Sequence, residues 1–151
     1  MNLDISKILK ILPHRTPFLL IDRVVELEPL RWARGIKCVT YNEPFFPGHF
    51  PETPLFPGVM CLEAMGQLMC ILAYASEAID TNQQLFYIMG VEKAKFRHPI
   101  IPGDKIEIEV KVLQRRSNIW KCESTATVED VICVESILLA AITNRDELPN
   151  I

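Results

Sequence analysis

Phe45-Phe46-Pro47-Gly48-His49-Phe50-Pro51-Glu52-Thr53-Pro54-Leu55-Phe56-Pro57-Gly58 runs directly into Val59-Met60-Cys61-Leu62-Glu63-Ala64-Met65-Gly66-Gln67-Leu68. The first half holds one histidine among four prolines. The second half is almost wholly apolar and holds one carboxylate. Prolines at 47, 51, 54 and 57 each fix φ and push the residue before them out of the helical region. The loop is therefore stiff, which suits a side chain that must be positioned. Pro57-Gly58 marks where loop ends and helix begins. From Val59 to Tyr74 the strongly polar side chains are Glu63 and Gln67 alone. Four residues apart, they share one helix face.

A helix apolar nearly all round belongs in the middle of a globular core. The run is too interrupted to span a bilayer, because a carboxylate near its start is costly there. If it extends from residue 59 to about Ala78 it is roughly 30 Å long, the width of a small domain. A carboxylate on such a helix is expensive unless it is partnered or has work to do.

The 151 residues are expected to form a single domain, 1–151, with a real core. A formal charge of −3 argues against nucleic acid as a general partner. Met1-Asn2-Leu3-Asp4 lacks the basic start and apolar run of a secretion signal, so a cytoplasmic location without membrane insertion is expected. Five cysteines with no CxxC read as reduced packing residues. Three histidines with no cysteine or carboxylate at ligand spacing give no reason to expect a metal.

Outward from the central stretch, Asp4 can cap a short helix with apolar positions Ile5, Ile8, Leu9 and Leu12, ended by Pro13. Strands are predicted over 18–28 and 32–40. After the helix, a strand region over 85–96 carries Gly90, a hint of a bulge. Ile106, Ile108, Val110 and Val112 alternate with charged residues, and strands over 118–128 and 131–143 follow. Turns are placed at 115–117 and 129–130, and no ordered element is expected in 144–151. The short turns require an antiparallel meander. The fold class is α+β, a strongly curved antiparallel sheet wrapped round one long central helix. A second copy of the chain would supply the rest of the cover.

Four blocks then stand in a familiar order. They are 12–24 (Leu-Pro-His-Arg-Thr-Pro-Phe-Leu-Leu-Ile-Asp-Arg-Val), 48–59 with Gly48-His49-Phe50-Pro51 and Pro57-Gly58-Val59, Glu63-Ala64-Met65-Gly66-Gln67, and 95–104. Together they resemble the β-hydroxyacyl-acyl-carrier-protein dehydratases of type II fatty-acid synthesis, the Z type, over roughly residues 5 to 143. The resemblance implies a hot-dog fold and a homodimer as minimal unit, commonly a hexamer built as a trimer of dimers. It implies no metal and no organic cofactor. It implies His49 and Glu63 as the catalytic pair, contributed by different subunits. Thr16, Gly66 and His98 depart from the family's usual residues, and Gly66 loosens a helix by up to about 1 kcal/mol.

The reaction fits the residues. Dehydration of a 3-hydroxyacyl thioester needs a base for the C2 proton, an acid for the departing hydroxyl, and a donor for the thioester oxygen. An imidazole titrates near neutrality and suits the base. A carboxyl in an apolar wall is disfavoured as its anion and suits the acid. The opposite proton assignment stays open at this level. Gly58 at the helix start is expected to offer its N–H to the thioester oxygen. Gln67 is expected to orient Glu63 or a water and to contribute to substrate binding. Phe50 and Tyr87 are expected to contact substrate, and Tyr87, with Phe56, to line or gate an acyl channel. His14 and Arg15 are expected to brace their turn. Lys93, Lys95, Arg97, Lys105, Arg115 and Arg116 form a basic subset expected to steer acidic acyl carrier protein to the tunnel mouth. Three alternatives remain: a dehydratase that also isomerises, disfavoured because that relative has aspartate in place of Glu63; a hot-dog thioesterase; and a non-catalytic acyl-binding module.

Overall fold

The computed structural model describes residues 1–77 and 79–148. Asp4 caps the first helix as expected, its carboxylate accepting from the Lys7 N–H at 3.1 Å, and α1 spans Ile5–Ile11. Strands β1 (Arg23–Glu28) and β2 (Trp32–Cys38) form a hairpin, and α2 spans Gly58–Ser76. Then follow β3 (Gln84–Phe96), β4 (Lys105–Arg116), β5 (Ile119–Val128) and β6 (Val131–Asn144). All pairings are antiparallel, in the order β1-β2-β4-β5-β6-β3.

The helix lies across the sheet and touches all six strands. Leu68, Met69, Ile71 and Leu72 are fully buried against inward residues such as Ile106, Ile108, Val110, Trp120 and Leu138. This is the wrapped-helix architecture expected from the sequence. α2 is long and apolar enough to cross a bilayer, but most of it is covered by the sheet. It ends at Ser76, and the expected end at Ala78 lies outside the described residues.

Three expectations are corrected. The strand predicted over 18–28 begins only at Arg23. The segment before it is diverted to the helix, where Gln67 takes the Leu20 N–H and the Phe18 carbonyl. The strand predicted over 32–40 stops at Cys38, where Val39 leaves β2 to bond with Asp104. The tail carries a 3-10 turn at Arg145–Glu147, tied down by the Arg145 N–H on the Gln83 carbonyl at 2.8 Å. Residues 149–151, also part of the tail expectation, lie outside the described residues. The bulge expected at Gly90 is present as a register shift between Ile88 and Gly90.

Gly66 has a local reason. A Cβ there would come within 2.5 Å of Ile88 Cδ1, so the bare backbone lets β3 approach the helix. All five cysteines are free thiols, and all but Cys38 are buried. Burial pushes the Cys61 and Cys122 thiols up to about 12 and raises Cys70 and Cys133 as well. Only thiolates alkylate quickly. Iodoacetamide at neutral pH should therefore label Cys38 alone in the folded protein, with the other four labelled only after denaturation, read by peptide mass spectrometry.

Candidate active site

His49 is carried by the 39–57 loop, which has no regular structure but is closed by hydrogen bonds. The His49 N–H donates to the Phe46 carbonyl at 3.2 Å, and the Leu55 N–H donates to the His49 carbonyl at 3.0 Å. The ring is held from the same side, with Nδ1 2.8 Å from the Leu55 carbonyl oxygen. A carbonyl only accepts, so Nδ1 carries the proton and Nε2 is left with the free lone pair. Phe50 stacks on the imidazole with ring centroids 4.2 Å apart, and its own ring is half exposed.

The imidazole lines a cavity of about 410 Å³ with Leu55, Phe56, Gly58, Val59 and Phe96. Gly58 is the first residue of α2, where helix geometry leaves the N–H without an internal partner. Its lack of a side chain suits the packing: a Cβ would stand 2.5 Å from the Phe96 ring, which would then have to move. Phe96 therefore lies over the helix N-terminus. Phe56 is buried in a cluster with Phe45 rather than exposed at a channel mouth.

Glu63 lies one turn along the helix face from Val59, in a separate cavity of about 260 Å³. That cavity is also lined by His14, Phe18, Gly66, Gln67 and Tyr87. Gln67 is 1% exposed and every arm of its amide is used. Its Oε1 accepts from the Leu20 N–H at 2.8 Å; its Nε2 donates to the Phe18 carbonyl at 2.7 Å and to Glu63 Oε1 at 2.9 Å. The expectation that Gln67 orients Glu63 matches this geometry; both N–H donors are taken, so a direct bond from Gln67 to substrate could only be one accepted by the second lone pair of Oε1. Oε2 of Glu63 is the carboxyl oxygen that Gln67 leaves free.

Sequence reasoning missed a neighbour. His14 Nε2 stands 3.5 Å from Glu63 Oε1, while its Nδ1 is buried without a hydrogen-bond partner. Burial lowers the His14 pKa, the Glu63 charge opposes that, and Arg15 adds to it. Arg15 does brace the turn, donating to the Leu9, Leu12 and His14 carbonyls at the end of α1. The available signal for His14 was the apolar setting of a histidine directly after the helix-ending proline.

In a single chain His49 and Glu63 thus line different cavities. The basic subset is also divided. Lys95 and Arg97 face Glu135, Lys105 pairs with Glu107, and Arg115 pairs with Glu77 at the opposite end of β4. Of these residues, Arg97 lines the His49 cavity, together with the loop residue His98. Within one chain Lys105 and Arg115, at opposite ends of β4, do not share a rim.

Residues 12–136 match the FabA-like domain family. The 3-hydroxyacyl-[acyl-carrier-protein] dehydratase FabZ of Sorangium cellulosum is 48% identical, covering 96% of this chain and 94% of that protein. The enzyme of the same name from Campylobacter concisus is 48% identical, covering 95% and 99%. Among solved structures, the dehydratase heterocomplex ApeI:P from Xenorhabdus doucetiae superposes with a TM-score of 0.80 at 17% identity, over 93% of each chain. Cj0977, a sigma28-regulated virulence protein from Campylobacter jejuni, does so at 0.66 and 18%, over 93% of this chain and 90% of that one. These two likenesses show the hot-dog fold. The chain belongs to the FabA-like family and, within it, to the 3-hydroxyacyl-[acyl-carrier-protein] dehydratases of the FabZ type.

Replacing Gln67 with Met keeps the volume but strands the Leu20 N–H and the Phe18 carbonyl. That should cost about 2–4 kcal/mol in urea unfolding. The kcat should fall at the same time, because Glu63 loses its orienting donor.

Proposed function

We propose that this chain dehydrates (3R)-hydroxyacyl-acyl-carrier-protein to the trans-2-enoyl product in fatty-acid synthesis, with His49 as base and Glu63 as acid. The observation that carries the assignment is the Nδ1 bond to Leu55, which leaves His49 Nε2 as a lone pair able to take a proton. Nε2 removes the C2 proton, the C2–C3 double bond forms, and the C3–O bond breaks. The free oxygen of Glu63 gives its proton to the departing hydroxyl, which leaves as water. The imidazolium then returns its proton to the carboxylate through the vacated space. The Gly58 N–H, at the positive end of α2, faces the thioester oxygen as charge builds on it. Phe50 and Tyr87 contact the acyl chain. No cofactor takes part.

The site is shared between two copies. Support comes from the sheet edges. The β1 edge is covered by the N-terminus, through Leu3 and Val24, whereas β3 is the other edge and pairs only with β6 among the described residues. β3 is long, and its Tyr87, Met89 and Val91 are about half exposed. A bare apolar edge of this kind invites pairing with another strand. A homodimer joined along β3 would bring the His49 cavity of one copy beside the Glu63 cavity of the other, and three such dimers would make the hexamer. The five free thiols accord with a reducing, cytoplasmic setting.

His49→Ala and Glu63→Ala should each lower turnover of a hydroxyacyl thioester by several orders of magnitude with the fold retained. Co-refolding the two variants in equal amounts is the sharper experiment. Half of the dimers are then mixed, and each mixed dimer has one intact site of two, so about a quarter of wild-type activity should return. If both groups act within one chain, none returns.

Acyl carrier protein is acidic and is proposed to approach past Arg97 at the His49 cavity. Carrier-linked turnover should then fall with ionic strength much more steeply than turnover of an N-acetylcysteamine analogue. Equal sensitivity would remove the electrostatic docking.

A further inference from the structure

Beneath the His49 loop lies a buried ion pair with no part in the chemistry above. Lys37 projects inward from β2, 5% exposed, and its Nζ is 2.8 Å from Glu43 Oε1 and 3.0 Å from the Cys38 carbonyl. The Glu43 side chain is 11% exposed, and the same Oε1 accepts from the Thr40 N–H at 3.1 Å. Burying two charges is rarely the cheapest way to stabilise a fold, since apolar residues of like volume do as well or better. Such a pair is better suited to selecting one geometry than to adding stability.

The geometry selected is that of the loop. From Glu43 a ladder of turns leads to the histidine: the Phe46 N–H donates to the Glu43 carbonyl at 3.4 Å, and the His49 N–H donates to the Phe46 carbonyl. The returning limb is bound to the same ammonium group, because Lys37 Nζ stands over the Phe56 ring, 5.8 Å from its centroid. Phe56 follows Leu55, the residue that holds His49 through both backbone and ring. The Lys37 charge therefore sits between the two limbs of the loop, gripping one through a carboxylate and the other through an aromatic face.

We propose that Lys37 and Glu43 are positioning residues for His49: they clamp both limbs of its loop so that the Leu55 carbonyl stays on Nδ1 and Nε2 stays free. This inference rests on His49 being the base. The stakes are set by geometry, because a displacement of about 1 Å at a reacting group is enough to cost on the order of 100-fold in rate.

The test uses the full-length protein and the double variant Lys37→Met/Glu43→Gln, which removes both charges and leaves no orphan ion. Its kcat should fall about 100-fold while KM stays within about threefold, the pattern of a lost transition-state alignment. Proton–nitrogen NMR of the imidazoles should show the slowly exchanging Nδ1–H of His49 in the wild type. In the variant it should show a mixture of tautomers. Single Glu43→Gln, the milder change, should move both readouts in the same direction and serves if the double variant unfolds. A folded variant with unchanged kcat and an unchanged Nδ1–H signal overturns the clamp. Loss of activity with the signal intact also overturns it, because the loop is then held without the pair. His49→Ala assayed alongside separates the two ideas: if it remains active, the catalytic reading fails, and the NMR signal still decides the clamp.

Discussion

The structure depends on covering a helix that has no polar side. A helix usually hides one stripe and shows water the other. α2 has nothing to show, so the sheet must curl until all six strands reach it. Curling fixes much else. It draws β1 and β2 in along one side of the helix and leaves β3 as the far edge. It also brings β3 close enough that the Ile88 side chain fills the space beside Gly66. Glu63 lines a cavity between α2 and β3 with its side chain 23% exposed, so the carboxyl is both sheltered and within reach.

The two halves of the proposed reaction centre are held by different means. Glu63 rides on a helix and needs only to be turned the right way, which a single amide accomplishes. Gln67 joins the carboxyl to the 18–20 segment, so the placement of that segment and the orientation of the acid are one event. His49 has no helix beneath it. Its loop is stiffened by prolines, closed by Leu55 and packed on Phe45, Phe46 and Phe56. A rigid helix on one side and a proline-stiffened loop on the other would leave the proposed base and acid little to reorganise during the reaction, where preorganisation is worth most.

Charge is spent locally in this protein. Lys95 and Arg97 share Glu135, Arg34 and Lys111 share Glu109, and Arg115 meets Glu77. Each of these exposed pairs contributes little to stability. Their joint effect is to break up what looked in the sequence like a basic block. His14 is the opposite case, a half-buried ring beside the acid whose burial holds it toward the neutral form.

Much of the fold was legible because it rests on local rules. Asp4 announced its helix, the alternation from Ile106 to Val112 announced a strand, and the proline-rich run before an apolar helix located both His49 and Glu63. What was misread involves partners distant in the chain. The strand over 18–28 was overextended because Gln67, some fifty residues on, competes for its backbone. Nothing in the sequence around Lys37 and Glu43 says that an aromatic loop will close over them. By itself the sequence determined most of the elements, their antiparallel order and the choice of His49 and Glu63 as candidate residues, because period, proline and glycine act over a few residues. Only the tertiary structure decided which nitrogen of His49 is free, which residue turns Glu63, and that the two groups line separate cavities in one chain. Those outcomes depend on where a carbonyl, an amide and a sheet edge arrive in space, and no local pattern encodes that arrival.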